Sequence, residues 1–115
     1  MSRDDAQLLD MLLACRKIQR YATGLDGAAF LADELRQDGI LRQLTVLGEA
    51  AKRVSSEYRA AHPEIPWQDI AGFRDVAVHQ YARVQLPRVW EIVTRDLVAL
   101  KAALERLLSR SEQEP

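Results

Sequence analysis

Four side chains within one ten-residue stretch, Gly72-Phe73-Arg74-Asp75-Val76-Ala77-Val78-His79-Gln80-Tyr81, carry groups suited to proton transfer and phosphate binding. Histidine side chains ordinarily titrate near neutral pH, so the imidazole of His79 is suited to taking or giving a proton. Arg74 is always cationic and presents a fork of donors matched to phosphate oxygens. On a helix at about 100° per residue, Asp75 and His79 lie about 40° apart, one turn from each other. That spacing lets the carboxylate hold one ring nitrogen and fix the tautomer. Arg74 and Tyr81, seven apart, also share a face. Arg74 and His79, five apart, diverge by about 140°. One helix therefore does not aim both at one atom unless the side chains converge or a second copy contributes. The same spacing also fits a plain salt-bridged surface near a helix end.

Other chemistries find no template. The chain has no glycine-rich phosphate loop and no nucleophile context for Ser or Cys. Its two histidines, His62 and His79, have no Cys or carboxylate set around them at zinc spacing. No metal and no cofactor are expected. His62, beside Pro63, reads as a loop or cap residue. The lone cysteine, Cys15, excludes an internal disulfide, and among Leu12, Leu13 and Ile18 it reads as a buried, inert thiol.

The net charge of −1 and pI of about 6.1 give no general argument for a nucleic-acid or membrane partner. The distribution says more. Segments 42–62 and 74–95 each hold four cations against two carboxylates, making Lys52, Arg53, Arg83 and Arg88 candidate contacts to a polyanion. No uncharged run approaches the ~20 residues of a membrane helix, and no signal peptide is visible. A cytoplasmic location is expected.

The elements that must position these groups are helical. There are 16 Ala and 16 Leu against 5 Gly and 4 Pro, too little turn punctuation for a sheet protein of 115 residues. A first helix is predicted from Ser2 or Asp4 to Ala22, with Leu8, Leu12, Cys15 and Ile18 as its stripe and Thr23-Gly24 as its end. A short helix follows from Asp26 to Gln37, and Asp38-Gly39 predicts a break. A long helix is expected from Ile40 to Ala61, with a seam of Ile40, Leu44, Leu47, Ala51, Val54 and Tyr58. Gly48 inside it reads as a small residue where another helix approaches closely.

His62-Pro63-Glu64-Ile65-Pro66 predicts a loop. The motif helix should run from Pro66 to Gln80. A connection over 81–86 leads to a last helix from Pro87 to Ser109, with Trp90, Val93, Leu97, Leu100, Leu104 and Leu107 on one side. The expected fold is all-α: one domain over 1–115, an up-and-down antiparallel four-helix bundle with an extra short helix.

The segment Arg74-Asp75-x3-His79-x-Tyr81 resembles the R-x4-H-x-Y motif of the HepT toxins, in the HEPN superfamily of ribonucleases. Gly48-Glu49-Ala50-Ala51-Lys52-Arg53, Pro63-Glu64-Ile65-Pro66-Trp67 and Val89-Trp90-Glu91-Ile92-Val93 resemble flanking blocks of that family. The similarity spans about Leu8 to Leu104. One departure is Gln85, where an acidic cap for the last helix is expected.

The resemblance implies a homodimer whose motif helices line one composite cleft, and a metal-independent endoribonuclease with Arg74 and His79 as catalytic groups. Asp75 would orient His79, and Lys52, Arg53, Arg83 and Arg88 would contact RNA. It also implies an MntA-like nucleotidyltransferase antitoxin that transfers AMP to Tyr81. The products would be a 2′,3′-cyclic phosphate and a 5′-hydroxyl. Two other readings stay open at this point: a non-enzymatic helical subunit that presents Tyr81 or a substrate to a nucleotidyltransferase, and a structural bundle without an active site.

Overall fold

Each of the first four helices begins at a Ser or Asp whose side chain accepts a hydrogen bond from a first-turn N–H. The computed structural model describes residues 1–78 and 82–113, with side chains at all of these but 82–84. Helix α1 (Arg3–Ala22) opens with a capping box between Ser2 and Asp5. It closes at Thr23, followed by Gly24 at φ +83°, a left-handed conformation that suits glycine. Helix α2 (Gly27–Leu31) is capped by Asp26, as the sequence predicts, but it lasts only five residues.

The break expected at Asp38-Gly39 does not occur. Helix α3 (Glu34–Arg53) starts earlier, at an Asp33 cap, and runs straight through both residues. Gly39 serves packing instead of a turn. A Cβ there would stand 3.2 Å from the Tyr21 ring, so the glycine lets that ring lie against the α3 backbone.

The break falls later, at Val54-Ser55, where continuous helix was expected. The Ser55 N–H donates to Asp4 Oδ1 at 2.8 Å, and its Oγ–H donates to Asp4 Oδ2 at 2.7 Å. With its N–H diverted to α1, Ser55 leaves the α3 ladder, and its hydroxyl caps α4 (Ser56–Ala61). His62 ends α4, as its expected cap role requires. Its ring lies 4.2 Å from that of Tyr58, and its carbonyl accepts from Trp67 Nε1 at 2.9 Å.

Helix α5 (Trp67–Val78) carries the first half of the motif. The last helical stretch differs most from expectation. Helix α6 (Ala82–Glu91) starts before Pro87, which sits inside it, so residue 85 is an interior and not a capping position. A π turn over Ile92–Asp96 follows, in which the Leu97 N–H reaches the Ile92 carbonyl five residues back. The Thr94 hydroxyl donates to the Trp90 carbonyl oxygen at 2.8 Å, a back-bond of the kind that bends helices. The extra residue keeps Ile92 and Leu97 on one buried face. Helix α7 (Leu97–Gln113) continues the stripe with Leu100, Leu104 and Leu107.

The described residues form helices and no strand. Helix α1 packs on α3 and α7, and α3 packs on α5. The buried side chains form one cluster, including the predicted seams Leu8, Leu12, Cys15, Ile18 and Ile40, Leu44, Leu47, Ala51, Val54. Tyr58 and Trp90 are only partly buried. Phe30 from α2 stacks on Trp90 at 4.9 Å, which clamps α2 onto α6. Among the described residues, no helix is long and apolar enough to cross a membrane.

Candidate ribonuclease site

The site begins with a helix crossing. Gly48 on α3 meets α5 so closely that a Cβ there would stand 2.8 Å from Arg74 Cβ, 3.0 Å from the Arg74 nitrogen and 3.2 Å from the Ile70 carbonyl oxygen. Two of those three atoms are backbone, so α5 itself would have to move to admit a methyl group. The expectation that Gly48 marks a close helix approach holds, and the helix it admits is the one that bears the motif.

The crossing sets the root of the Arg74 side chain, and Glu49 holds its far end. Arg74 Nε donates to Glu49 Oε1 at 3.3 Å. Both side chains are partly open to solvent, 39% and 42% exposed. The guanidinium is therefore anchored on α3 while the side chain stays partly open to solvent. Asp75, the next residue, is exposed.

Lys52 and Arg53 lie one turn beyond Gly48 and Glu49 on the same side of α3, and both are exposed. The structure thus brings Arg74, Glu49, Lys52 and Arg53 to neighbouring positions around the α3–α5 crossing. His79, Tyr81 and the Arg83 side chain lie outside the described residues. Arg88 sits apart from this group, on α6. Its Nη1 pairs with Glu91 at 3.2 Å and with Asp96 at 3.5 Å, so two carboxylates already offset its charge.

A groove of about 550 Å³ between α5 and α7 includes Phe73 but not Arg74. Arg88, Arg95 and Arg106 line it together with Glu64, Asp69 and Asp96. Three cations against three carboxylates make it a poor polyanion channel. The Glu64 carboxyl is held below its ordinary range by its own backbone N–H and, after that, by His62 at 3.2 Å.

Cys15 behaves as its sequence context predicts. It is 0% exposed, and burial pushes its thiol up to about 12. A thiol so shielded is neither a nucleophile nor a ready ligand.

Sequence reasoning assigned no role to Glu49, although it stands in one of the family-like blocks. The available signal was local: one carboxylate directly after a helix-contact glycine and just before Lys52 and Arg53. What spacing along the chain could not supply is its partner, 25 residues away on another helix.

Comparisons with known proteins place the chain in a family. The family model described as ribonuclease HepT-like matches residues 11–107. A protein of Thermococcus cleftensis named "Probable ribonuclease HepT" is 33% identical over 87% of this chain and 91% of its own length. "Putative RNase MJ0125" of Methanocaldococcus jannaschii is 30% identical over 94% and 93%. "Putative RNase TTE0752" of Caldanaerobacter subterraneus is 28% identical over 89% and 91%. No solved structure gives a significant match. The family match takes in the α3–α5 crossing and the motif together, and the chain belongs to the HepT-like ribonuclease family.

Proposed function

We propose that this protein is the toxin of a toxin–antitoxin pair, an endoribonuclease that works as a homodimer. The observation that carries the reading is the anchored, solvent-reaching Arg74 guanidinium at the Gly48 crossing, flanked by exposed Lys52 and Arg53.

RNA brings its own nucleophile, the 2′-hydroxyl. In the proposed reaction the 2′-oxygen attacks the adjacent phosphorus, and the neutral imidazole of His79 takes its proton. The 2′-O–P bond forms while the 5′-O–P bond breaks, and an imidazolium returns a proton to the departing 5′-oxygen. The products are a 2′,3′-cyclic phosphate and a 5′-hydroxyl. Arg74 neutralises the charge that builds on the phosphorane oxygens. Asp75 orients His79. Two copies bring the Arg74 of one toward the His79 of the other, which resolves the divergence of the two groups on one helix. Lys52 and Arg53, with Arg83 as a further candidate, track the backbone, and binding weakens as salt rises.

A nucleotidyltransferase antitoxin of the MntA type would move AMP from ATP to the Tyr81 hydroxyl, with release of pyrophosphate. The added phosphate and adenosine would occlude the cleft and repel RNA.

The test is cleavage of RNA by the purified protein, with Arg74→Ala and His79→Ala beside it and growth inhibition measured in a host cell. Both substitutions are expected to slow cleavage by about a thousandfold or more, leaving a measurable residual rate, and to relieve inhibition. Full toxicity in both, with no cleavage by the wild type, would point instead to the non-enzymatic helical subunit. Mass spectrometry of Tyr81 after incubation with the antitoxin and ATP tests the modification separately.

A further inference from the structure

We infer that Glu49 is a positioning residue for Arg74: its carboxylate fixes the guanidinium by the Nε edge and so turns both Nη groups toward the RNA phosphate. The inference rests on the reading of Arg74 as the phosphate-binding group, and it concerns how that group is held.

An arginine has five N–H donors in a rigid plane, one on Nε and four on the two Nη atoms. A carboxylate that took both Nη groups would occupy the edge a phosphate needs. Here the contact runs through Nε, to Glu49 Oε1 at 3.3 Å. The side chain is thus fixed at two points. Its Cβ is set by the Gly48 crossing, and its Nε by the residue next to that glycine. Because Gly48 and Glu49 are consecutive on α3, one helix governs both the root and the tip of the arginine. Both partners are partly exposed, so the pair is open to an approaching ligand. An arginine held in this way has already given up rotamer freedom that a loose one would lose on binding phosphate.

The carboxylate also places a negative charge near an incoming polyanion. It therefore opposes RNA binding even as it orients the group that stabilises the reaction. A residue that merely stabilised the fold would not separate those two effects, and this separation makes the inference testable.

The experiment measures kcat and KM of the full-length protein on a labelled RNA that the wild type cleaves. The variants are Glu49→Ala, Glu49→Gln, Arg74→Ala and the double variant Glu49→Ala/Arg74→Ala, with folding checked by circular dichroism. Glu49→Ala is expected to lower kcat roughly ten- to a hundredfold without raising KM. Glu49→Gln keeps an acceptor oxygen at the same position and should stay within about threefold of the wild-type kcat. The double variant should be no slower than Arg74→Ala alone, since Glu49 acts only through Arg74.

An unchanged kcat in Glu49→Ala, a raised KM as its only effect, or independent losses in the double variant would each overturn the inference. If Arg74→Ala itself cleaved like the wild type, the functional reading would fall first. An inactive Arg74→Ala beside a fully active Glu49→Ala would sink the positioning role alone. Should Glu49→Ala fail to fold, the isosteric Glu49→Gln decides through the Arg74 Nε–H signal in nitrogen-edited NMR. That signal, assigned by its loss in Arg74→Lys, is expected to stay resolved and protected in the wild type and in Glu49→Gln. Rapid solvent exchange of it in the wild type would contradict the fixed Nε edge.

Discussion

A side chain at Gly48 and the side chain of Arg74 cannot both occupy the present α3–α5 crossing, because a Cβ on the first would stand 2.8 Å from the Cβ of the second. The two residues lie 26 positions apart in sequence, yet the absence of atoms at one sets the placement of the other.

Gly48→Ala should therefore do two things. Forcing α5 away from α3 is an overpacking change, expected to cost about 1–3 kcal/mol in urea unfolding. It should also reduce RNA cleavage beyond what the lost stability explains, because Arg74 moves with α5. Gly72→Ala is the control, since a Cβ there meets nothing within 4 Å. It is expected to retain stability.

Phe30 is fully buried and stacks on Trp90. Phe30→Ala should cost about 3–5 kcal/mol and release α2 from α6. Trp90 fluorescence would shift to longer wavelength in the native state, and the urea midpoint would fall.

Acid should weaken the tie between the two chain ends. The Asp5 carboxyl is held below its ordinary value, first by the Ser111 hydroxyl at 2.6 Å and then by the Ser2 cap contacts, against an opposing effect of burial. A carboxyl whose folded pKa is depressed contributes stability that is fully present above the unfolded value, near pH 4. The contribution disappears as pH falls through the folded value. Ser111→Ala should thus be less stable than wild type at neutral pH, and the gap should narrow as pH drops below about 4. A gap that widened in acid would contradict this assignment.

Cys15, buried in α1 with its thiol pushed up to about 12, should resist aromatic disulfide reagents at pH 8 in the native protein. It should react fully in denaturant. Stoichiometric labelling of the folded protein would show that α1 opens.

The core was legible in the sequence because its side chains recur at helical spacing. Ile40, Leu44, Leu47 and Ala51 on α3 and Leu97, Leu100, Leu104 and Leu107 on α7 are all buried. The helix ends were less legible, since long-range contacts decide them. The Asp38-Gly39 turn signal yielded to the Tyr21 ring packed on Gly39. Helix α3 stops where Asp4, 51 residues away, captures Ser55. The π turn left no mark in the pattern because one added residue keeps Ile92 and Leu97 on the same face. Arg74 and Asp75 could be found from their neighbours in the chain. The partner of Arg74, Glu49, depends on a helix crossing and becomes visible only once α3 and α5 are packed.

The most direct test of the composite site mixes two inactive proteins. Arg74→Ala and His79→Ala variants are unfolded, combined in equal amounts, refolded together and assayed on RNA, beside each variant refolded alone. If guanidinium and imidazole come from opposite copies, half the dimers are mixed and each keeps one of its two Arg74–His79 pairs intact. The mixture should then recover about a quarter of wild-type cleavage, far above either variant refolded alone. A mixture as inactive as its components, beside an active refolded wild type, would contradict the shared cleft.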